Sequence, residues 1–546
     1  MTPRESPSPS QSSDLLVAKL ASVLPKGYDF GVYHISTPPT QCEALFHAPP
    51  GRNADRTYCE SHFLAVSIDS SEGEVIIFAL EIFIYTTAFA STLFVSKADS
   101  SGYLHLLGLP RGTPSPIRSV SSVFVSYLVE QRRRPHIQPV VSLFARAQSQ
   151  YLFPGSVDNK GKHVLDDRGL VKWWCRVLDG MVGDTHKGYL VVPGLDQYEM
   201  RAFLPKGNPA PGRWILGHPL KKISHYVRES ERREKKEVIP PRCLIPQYPD
   251  DPKARYLDEL DDEAERAGQV HKGNGESKAN KNNKIKGPSF GNGMWTSVKS
   301  LDQFWEMMAY RQECSSGRLT GFIWVVFDSD ESEPVDVEHS DLPSDNDGDD
   351  DDDKEALRRT KMKARPMAKT AIKTKTKKRS RNLKSKKLRG SIVPRTPRTK
   401  TTQQHHYLTK RPATTRYYHW PAEGRGRLLV DPVDYKRINE LLLQLDFTTL
   451  AKSSISTHRW IKEAGVGSDW RLAVKGEAEY APAAGGIKEK KDGANDLSSL
   501  IKRKRAVSTG EPATEANRAN GADGAGGVDK VNVLSTGLVR KKPKPT

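Results

Sequence analysis

Two adjacent carboxylates, Asp250 and Asp251, stand directly before Pro252 and Lys253 in the stretch Tyr248-Pro-Asp-Asp-Pro-Lys-Ala-Arg-Tyr256. A lysine ammonium ordinarily titrates near roughly 10.4, so an amine used as a nucleophile needs a positioned base to take its proton. Two acids beside an amine can supply that base, and the flanking Tyr248 and Tyr256 can exclude water. The same residues also read as a plain helix start. Asp is a preferred N-cap and proline is at home at the first helical position, so Asp251 caps and Pro252 opens a helix. Ala254, Tyr256, Leu257 and Leu260 then carry it into Asp261–Glu265. The local residues leave both readings open. No Cys and His stand together as a nucleophile pair.

A second constellation lies upstream. A strand, Thr92 to Lys97, empties into Ala98-Asp99-Ser100-Ser101-Gly102-Tyr103, and Leu107-Gly108-Leu109-Pro110-Arg111 follows before a helix, Ile117 to Gln131. Strand, glycine-bearing loop, cation and helix together make a cradle for a phosphorylated cofactor. Neither GxGxxG nor GxxxxGK[ST] is present, so a simple turn is the competing reading.

The elements that must position these groups belong to an α/β chain with a central mixed or antiparallel sheet surrounded by helices. Leu15 to Leu24 reads as a short amphipathic helix, and Tyr28 to Ile35 as a strand. His62 to Ile68, a Ser-Ser-Glu-Gly turn and Val75 to Tyr85 read as a hairpin. Val75 to Val95 holds a single charge, Glu81, and is long enough to span a bilayer. Its β-branched and aromatic content and the break at Thr87–Ser91 favour two buried strands over a membrane span. Helices are expected at Val140 to Gln148 and Asp167 to Leu178, a strand at Tyr189 to Gly194, and a strand or turn at Arg213 to Gly217. Lys221 to Lys236 reads as a charged surface loop. Trp295 to Cys314 recovers helical period, and Leu319 to Phe327 reads as a strand. Further helices are expected at Asp434 to Leu445 and Ser453 to Ala464.

The 546 residues carry a net charge of +19 and only 36% hydrophobic residues. The first points to a polyanionic environment and the second to long disordered parts. The expected organisation is a disordered start (1–13), a core (14–327, with a basic linker at 268–293) and a disordered acidic-then-basic insert (328–411). A helical segment (412–470) then packs back on the core, and a disordered basic tail (471–546) follows. Five scattered cysteines without a CxxC pair argue against a zinc finger or a disulfide scaffold, and no metal is expected. No secretory signal opens the chain, and basic clusters near Lys488, Lys502 and Arg540 read as nuclear-import or anion-binding tracts.

Four pieces in order carry a resemblance: Phe94 to Tyr103; Gln150 to Gly155 leading to Lys162–Leu165 and Lys172-Trp173-Trp174; Val192-Pro193-Gly194 with Trp214; and Pro249 to Arg255. Together they resemble the fungal histone H3 acetyltransferases of the regulator-of-Ty-transposition type, relatives of the metazoan CREB-binding-protein acetyltransferases. The likeness covers about Leu15 to Phe327 and resumes from Tyr417 to Gly465. It implies an acetyltransferase core that moves acetyl from acetyl-CoA to histone H3, at a core lysine near the DNA entry edge of the nucleosome and at tail lysines. It implies H3–H4 as substrate, acidic histone chaperones of the nucleosome-assembly and anti-silencing types as partners, and a nuclear role in replication-coupled nucleosome assembly and genome stability.

Residue by residue, the resemblance implies that Asp251 or Asp250 is the base and Lys253 an autoacetylated lysine. Asp99 would sit at the active site, and Tyr189 and Trp214 would line the substrate channel. Ala98, Asp99, Ser100, Leu107, Gly108, Leu109, Pro110, Arg111, Val182, His186, Arg201, Ala202, Phe203 and Arg213 would contact the cofactor. The competing reading is a non-catalytic chromatin or nucleic-acid adaptor that contacts DNA through its basic tails.

Overall fold

The computed structural model describes residues 9–110, 113–205, 212–232, 237–272, 295–311, 318–328 and 411–479. The expectations for residues 1–8, Arg111, most of the 268–293 linker, nearly all of the 328–411 insert and the tail from 480 lie outside the described residues.

Eleven strands form one sheet: β1 (Asp29–Ser36), β2 (Thr40–Cys42), β3 (Thr57–Ser70), β4 (Gly73–Thr86), β5 (Ser91–Ser100), β6 (Pro139–Arg146), β7 (Lys187–Val191), β8 (Trp214–Leu216), β9 (Thr320–Val326), β10 (Leu428–Leu429) and β11 (Leu472–Lys475). Their order is β10-β1-β3-β4-β5-β6-β9-β7-β8, with β11 also on β1 and β2 on β3. The β5–β6, β7–β8 and β1–β10 pairs are parallel and the rest antiparallel, so the sheet is mixed.

Both faces are covered. On one, Val75, Ile77, Val141, Leu143, Ile323 and Val325 pack with Phe124, Leu128, Val171 and Trp174 of the helices Pro116–Gln131 and Asp167–Leu178. On the other, Tyr33, Ile35, Phe63, Ala65 and Ile76 meet Tyr435, Ile438 and Trp460 of the helices Pro432–Leu442 and Leu450–Ala464. Farther along that face, Tyr189, Phe322 and Trp324 meet Leu257, Leu260, Phe304 and Trp305 of the helices Ala254–Lys272 and Leu301–Met308. A sheet buried on both sides reads in sequence as a continuous apolar run, which is why Val75–Val95, most of β4 and the start of β5, imitated a membrane span. No helix among the described residues is long and apolar enough to cross a membrane.

Five expectations change. Residues 9–13, expected to be disordered, open the helix Pro9–Ala21. Val140 to Gln148 is not a helix but the strand β6, bonded to β5 on one side and β9 on the other. Its run of apolar residues has no period because both faces are buried, and β-branched Val140 and Val141 suit a strand. Lys221 to Lys236 is not a plain loop, since Leu220–Ile223 and His225–Arg232 are helical and bury Tyr226 and Ser230 one turn apart. The helix after the acidic pair begins at Ala254 rather than Pro252. Order also extends past 470. Leu472–Lys475 pairs with β1, and the Glu477 N–H donates to the Ala21 carbonyl.

Candidate active site

The Tyr248–Lys253 turn separates the two acids. Asp250 adopts a left-handed backbone (φ 54°), a conformation that Asp tolerates better than most residues, and its side chain is 74% exposed. Asp251, one residue on, turns inward and has no exposed side-chain surface. Its Oδ1 accepts the Lys253 backbone N–H at 2.9 Å, and its Oδ2 the Tyr248 N–H at 3.2 Å. The Ala254 N–H donates to the Asp251 carbonyl at 3.0 Å, so Asp251 caps the turn even though the helix starts later.

Lys253 is buried against Asp251. Its Nζ donates to Oδ1 at 2.7 Å and to Oδ2 at 2.6 Å, and lies 5.2 Å from the Phe322 ring centre and 5.7 Å from that of Tyr248. Tyr248 stacks flat on Phe94 of β5, ring centres 4.1 Å apart, and burial pushes its phenol up, keeping it neutral. A charged lysine and its one carboxylate thus sit in an aromatic enclosure, where the attraction is strong because water is absent.

β5 and β6 are paired only as far as Val95 and Leu143. Where they part, a cavity of roughly 30 Å³ opens between Val95, Ala98, Leu143, Tyr151, Leu170 and Trp174, with Lys97 and Phe144 also on its wall. Asp99 lies just beyond. Its Oδ2 accepts the backbone N–H groups of Tyr151, Leu152 and Phe153 at 2.7, 2.9 and 3.3 Å, and its Oδ1 accepts Lys162 Nζ at 2.9 Å and the Ser100 N–H at 2.8 Å. That carboxylate fastens the 151–153 loop beside the strand gap, with both oxygens taken by donors.

The remaining predicted residues are not gathered in one place: Trp214, Phe203 and Leu107 belong to the layer of the helix Pro116–Gln131, and Tyr189 to the layer of Trp324 on the opposite face. Trp214 on β8 lies over Gly188 and donates from Nε1 to Asp179 Oδ1 at 2.9 Å. Arg213 donates to the carbonyls of Asp179 (3.2 Å) and Val182. His186 packs on Phe327 at 4.7 Å, with its Nδ1 buried and without a partner among the described residues. Arg201 and Ala202 are exposed at the end of a short helix, while Phe203 is buried beneath the Arg168 and Lys172 cations. Tyr189 on β7 is buried opposite Trp324 and Ile215. Leu107 ends a 3₁₀ turn, and Gly108 follows at φ 57°, where only glycine sits without strain, before Leu109 and Pro110. A groove of roughly 610 Å³ runs along the start of helix Pro116–Gln131, between Arg118, Ser119, Ser122, Arg176, Asp179 and Pro205. Among the described residues no three His, Cys, Asp or Glu side chains come together as a metal site.

The Gly188 contact yields a prediction. A Cβ there meets the Trp214 ring at 2.6 Å. Gly188→Ala displaces the indole, lowers stability by about 1–3 kcal/mol and shifts tryptophan emission; an unchanged thermal midpoint and spectrum would refute the packing role.

Sequence reading missed Lys97, Lys162 and Glu81. Lys97 stood inside a matched piece but has no motif of its own, and Glu81 was seen only as a charge interrupting an apolar run.

The KAT11-type histone acetyltransferase domain model matches residues 16–139 and 134–463. A histone acetyltransferase rtt109 from Aspergillus flavus is 36% identical over 587 residues, covering 96% of this chain and 98% of that protein. One from Schizosaccharomyces pombe is 30% identical over 317 residues, covering 54% of this chain and 67% of its own. The crystal structure of Rtt109 from Aspergillus fumigatus superposes with a TM-score of 0.59 at 35% identity, covering 85% of this chain and 99% of that one. The family model spans more than half of the chain and the Aspergillus flavus relative nearly all of it, so the chain belongs to the KAT11-type histone acetyltransferase family.

Proposed function

We propose that this acetyltransferase moves the acetyl group of acetyl-CoA to lysines of histone H3 within H3–H4, at a core lysine near the DNA entry edge of the nucleosome and at tail lysines, in the nucleus. The observation that carries the reading is the buried Asp251–Lys253 pair, whose neighbour Asp250 reaches Lys97 on the wall of the gap between β5 and β6. When bound, acetyl-CoA supplies a thioester carbonyl as the electrophile. The residues present fit such a donor: the narrow gap, with Val95, Ala98, Leu143 and Leu170 beside Ser96, Lys97 and Arg146, suits a small acyl end, and the Arg118 and Arg176 guanidiniums in the larger groove suit phosphates. Ala98 borders the gap, and Ser100 follows Asp99 just beyond it. Leu107 to Pro110, Val182, His186, Arg201 to Phe203 and Arg213 contact the cofactor.

Asp251 takes the proton from the substrate ammonium, and the freed amine attacks. The N–C bond forms as the C–S bond breaks, and the thiolate leaves to be protonated. In the structure, however, both Asp251 oxygens are held by the Lys253 ammonium. Acetylating Lys253 removes that charge and releases two lone pairs, so unmodified Lys253 is a brake on the base. Tyr189, on the Phe322–Trp324 face of the sheet, walls the substrate channel; Trp214 packs on the opposite face over Gly188, and Asp99 positions the 151–153 loop. Because chain and substrate are both basic, long-range repulsion opposes their encounter, and acidic chaperones of the nucleosome-assembly and anti-silencing types present H3–H4.

The test uses the full chain with labelled acetyl-CoA and H3–H4, with and without an acidic chaperone, and locates the label by mass spectrometry. Label on H3, stimulated by chaperone, and on Lys253 is expected. Lys253→Arg, which keeps a permanent cation on Asp251, is expected to be about tenfold slower. Label confined to other histones would overturn the H3 assignment, and parental activity in Lys253→Arg would remove the brake.

A further inference from the structure

Glu81 is the single charged residue in the strand run Val75–Tyr85, and it is buried in the middle of the sheet. A buried carboxylate persists only when its lone pairs are filled and its charge is matched. Both conditions are met. Oε1 accepts from the Tyr435 hydroxyl at 3.3 Å and from Asn439 Nδ2 at 3.1 Å, both on helix Pro432–Leu442. Oε2 accepts from Ser96 Oγ and from Lys97 Nζ, each at 3.1 Å. The sheet is adapted to deliver those two donors. Glu81 pairs with Lys97 but Ile82 pairs with Val95, so Ser96 is the extra residue of a β-bulge. Bulges re-aim side chains, and this one brings consecutive residues of β5 onto one carboxylate.

Lys97 does not stop there. Its Nζ also lies 3.4 Å from Oδ2 of Asp250, the exposed residue at the left-handed tip of the active-site turn. Burial works against its charge, but Glu81 and then Asp250 outweigh it, so it stays protonated and does not serve as an acetyl acceptor. Lys97 is also the neighbour of Ala98 on the wall of the strand gap.

We propose that Lys97 is a positioning residue for acetyl transfer: anchored on Glu81, it fixes the Asp250 tip and so holds the adjoining Asp251 at the mouth of the gap. The proposal rests on Asp251 being the base. Tyr435 and Asn439 thereby support the active site from a helix that lies beyond residues 329–410 in sequence.

Lys97→Met alone strands a buried Glu81 and can fail through misfolding, so the decisive variant is Lys97→Met/Glu81→Gln. It removes both charges and leaves an amide to bond Tyr435 and Asn439. The full chain is assayed at varied acetyl-CoA and H3–H4, beside Lys97→Arg and Asp251→Asn. The double variant is expected to keep the parental thermal midpoint and the KM for acetyl-CoA but to lose about tenfold or more in kcat, the effect of a displaced catalytic group. Lys97→Arg, long enough to span both carboxylates, is expected to recover to within about threefold. A folded double variant with parental kcat, or an Arg variant as slow as the double one, overturns the proposal while Asp251→Asn stays inactive. Parental activity in Asp251→Asn instead overturns the reading of the base.

Discussion

Asp251→Asn is expected to lower kcat for acetyl transfer by about 10²–10³-fold, because it removes the group that takes the proton from the attacking amine. The size follows from the local chemistry. A lysine reaching the turn from water arrives as an ammonium, and of the buried carboxylates near the strand gap Asp251 is the one freed once Lys253 is neutralised, since the Glu81 oxygens are taken by Tyr435, Asn439, Ser96 and Lys97. Asp250 is exposed and held by Lys97, and the Asp99 oxygens are filled by four N–H donors and Lys162. The single substitution also leaves the Lys253 ammonium buried without a counter-charge, which costs about 3–5 kcal/mol by itself. The informative comparison is therefore Asp251→Asn/Lys253→Gln, neutral at both positions and tested for fold by circular dichroism. If that variant is folded and equally inactive, loss of the base explains the rate. If it transfers acetyl at the parental rate, Asp250 or water is the base and the buried pair is structural.

Residue types and spacing revealed the acid pair, its lysine and most of the sheet, because these are local signals. Apolar runs bounded by turns gave β3, β4, β5 and β9, and period 3.6 gave the helices Pro116–Gln131 and Asp167–Leu178. What failed was non-local. β6 lost its alternation because Val140 and Val141 face opposite apolar layers, both covered by helices. β11 has four residues and owes its order to the free edge of β1. The divergence of Asp250 from Asp251 depends on one backbone angle of 54°, which adjacent identical residues cannot announce. Lys97 and Glu81 meet across a bulge, and Tyr435 joins them from 354 residues away from Glu81. Such contacts are specified by the folded sheet.

A second non-local cluster sets the largest expected effect on stability. Arg132, at the end of helix Pro116–Gln131, donates from Nε to both Glu60 oxygens (3.2 and 3.1 Å) and from an amino nitrogen to Oε2 at 2.9 Å. The same amino nitrogen reaches the Gly424 carbonyl at 3.0 Å, in the segment after residues 329–410. Glu60 Oε2 lies 3.3 Å from His62 Nε2, and His62 Nδ1 3.0 Å from His34 Nε2, all of them buried. Arg132→Ala leaves the Glu60 charge uncompensated and lets go of Gly424, so unfolding free energy is expected to fall by about 3–5 kcal/mol. Arg132→Met/Glu60→Gln, neutral and similar in volume, is expected to be much milder; an equal loss in both variants would show that packing, not charge, dominates.

The same cluster fixes the sign of the pH dependence. Burial holds both His34 and His62 below their ordinary value of 6.5, in His62 against the pull of Glu60. An unfolded chain therefore takes up protons below about pH 6.5 that the folded chain refuses, and stability drops as pH falls. Burial alone would raise the Glu60 carboxyl, but Arg132 and His62 outweigh it and hold it below 4.5. Its contribution is therefore present above that pH and lost beneath it. Both effects act in one direction, so the thermal midpoint is expected to be flat above about pH 6.5 and to decline steadily in acid. His34→Phe/His62→Leu, which cannot take up those protons, is expected to decline less steeply between about pH 6.5 and 5, the remaining slope coming from His47, His218 and His419, which burial also holds below 6.5. A decline in that variant as steep as in the parent would place the acid sensitivity elsewhere in the fold.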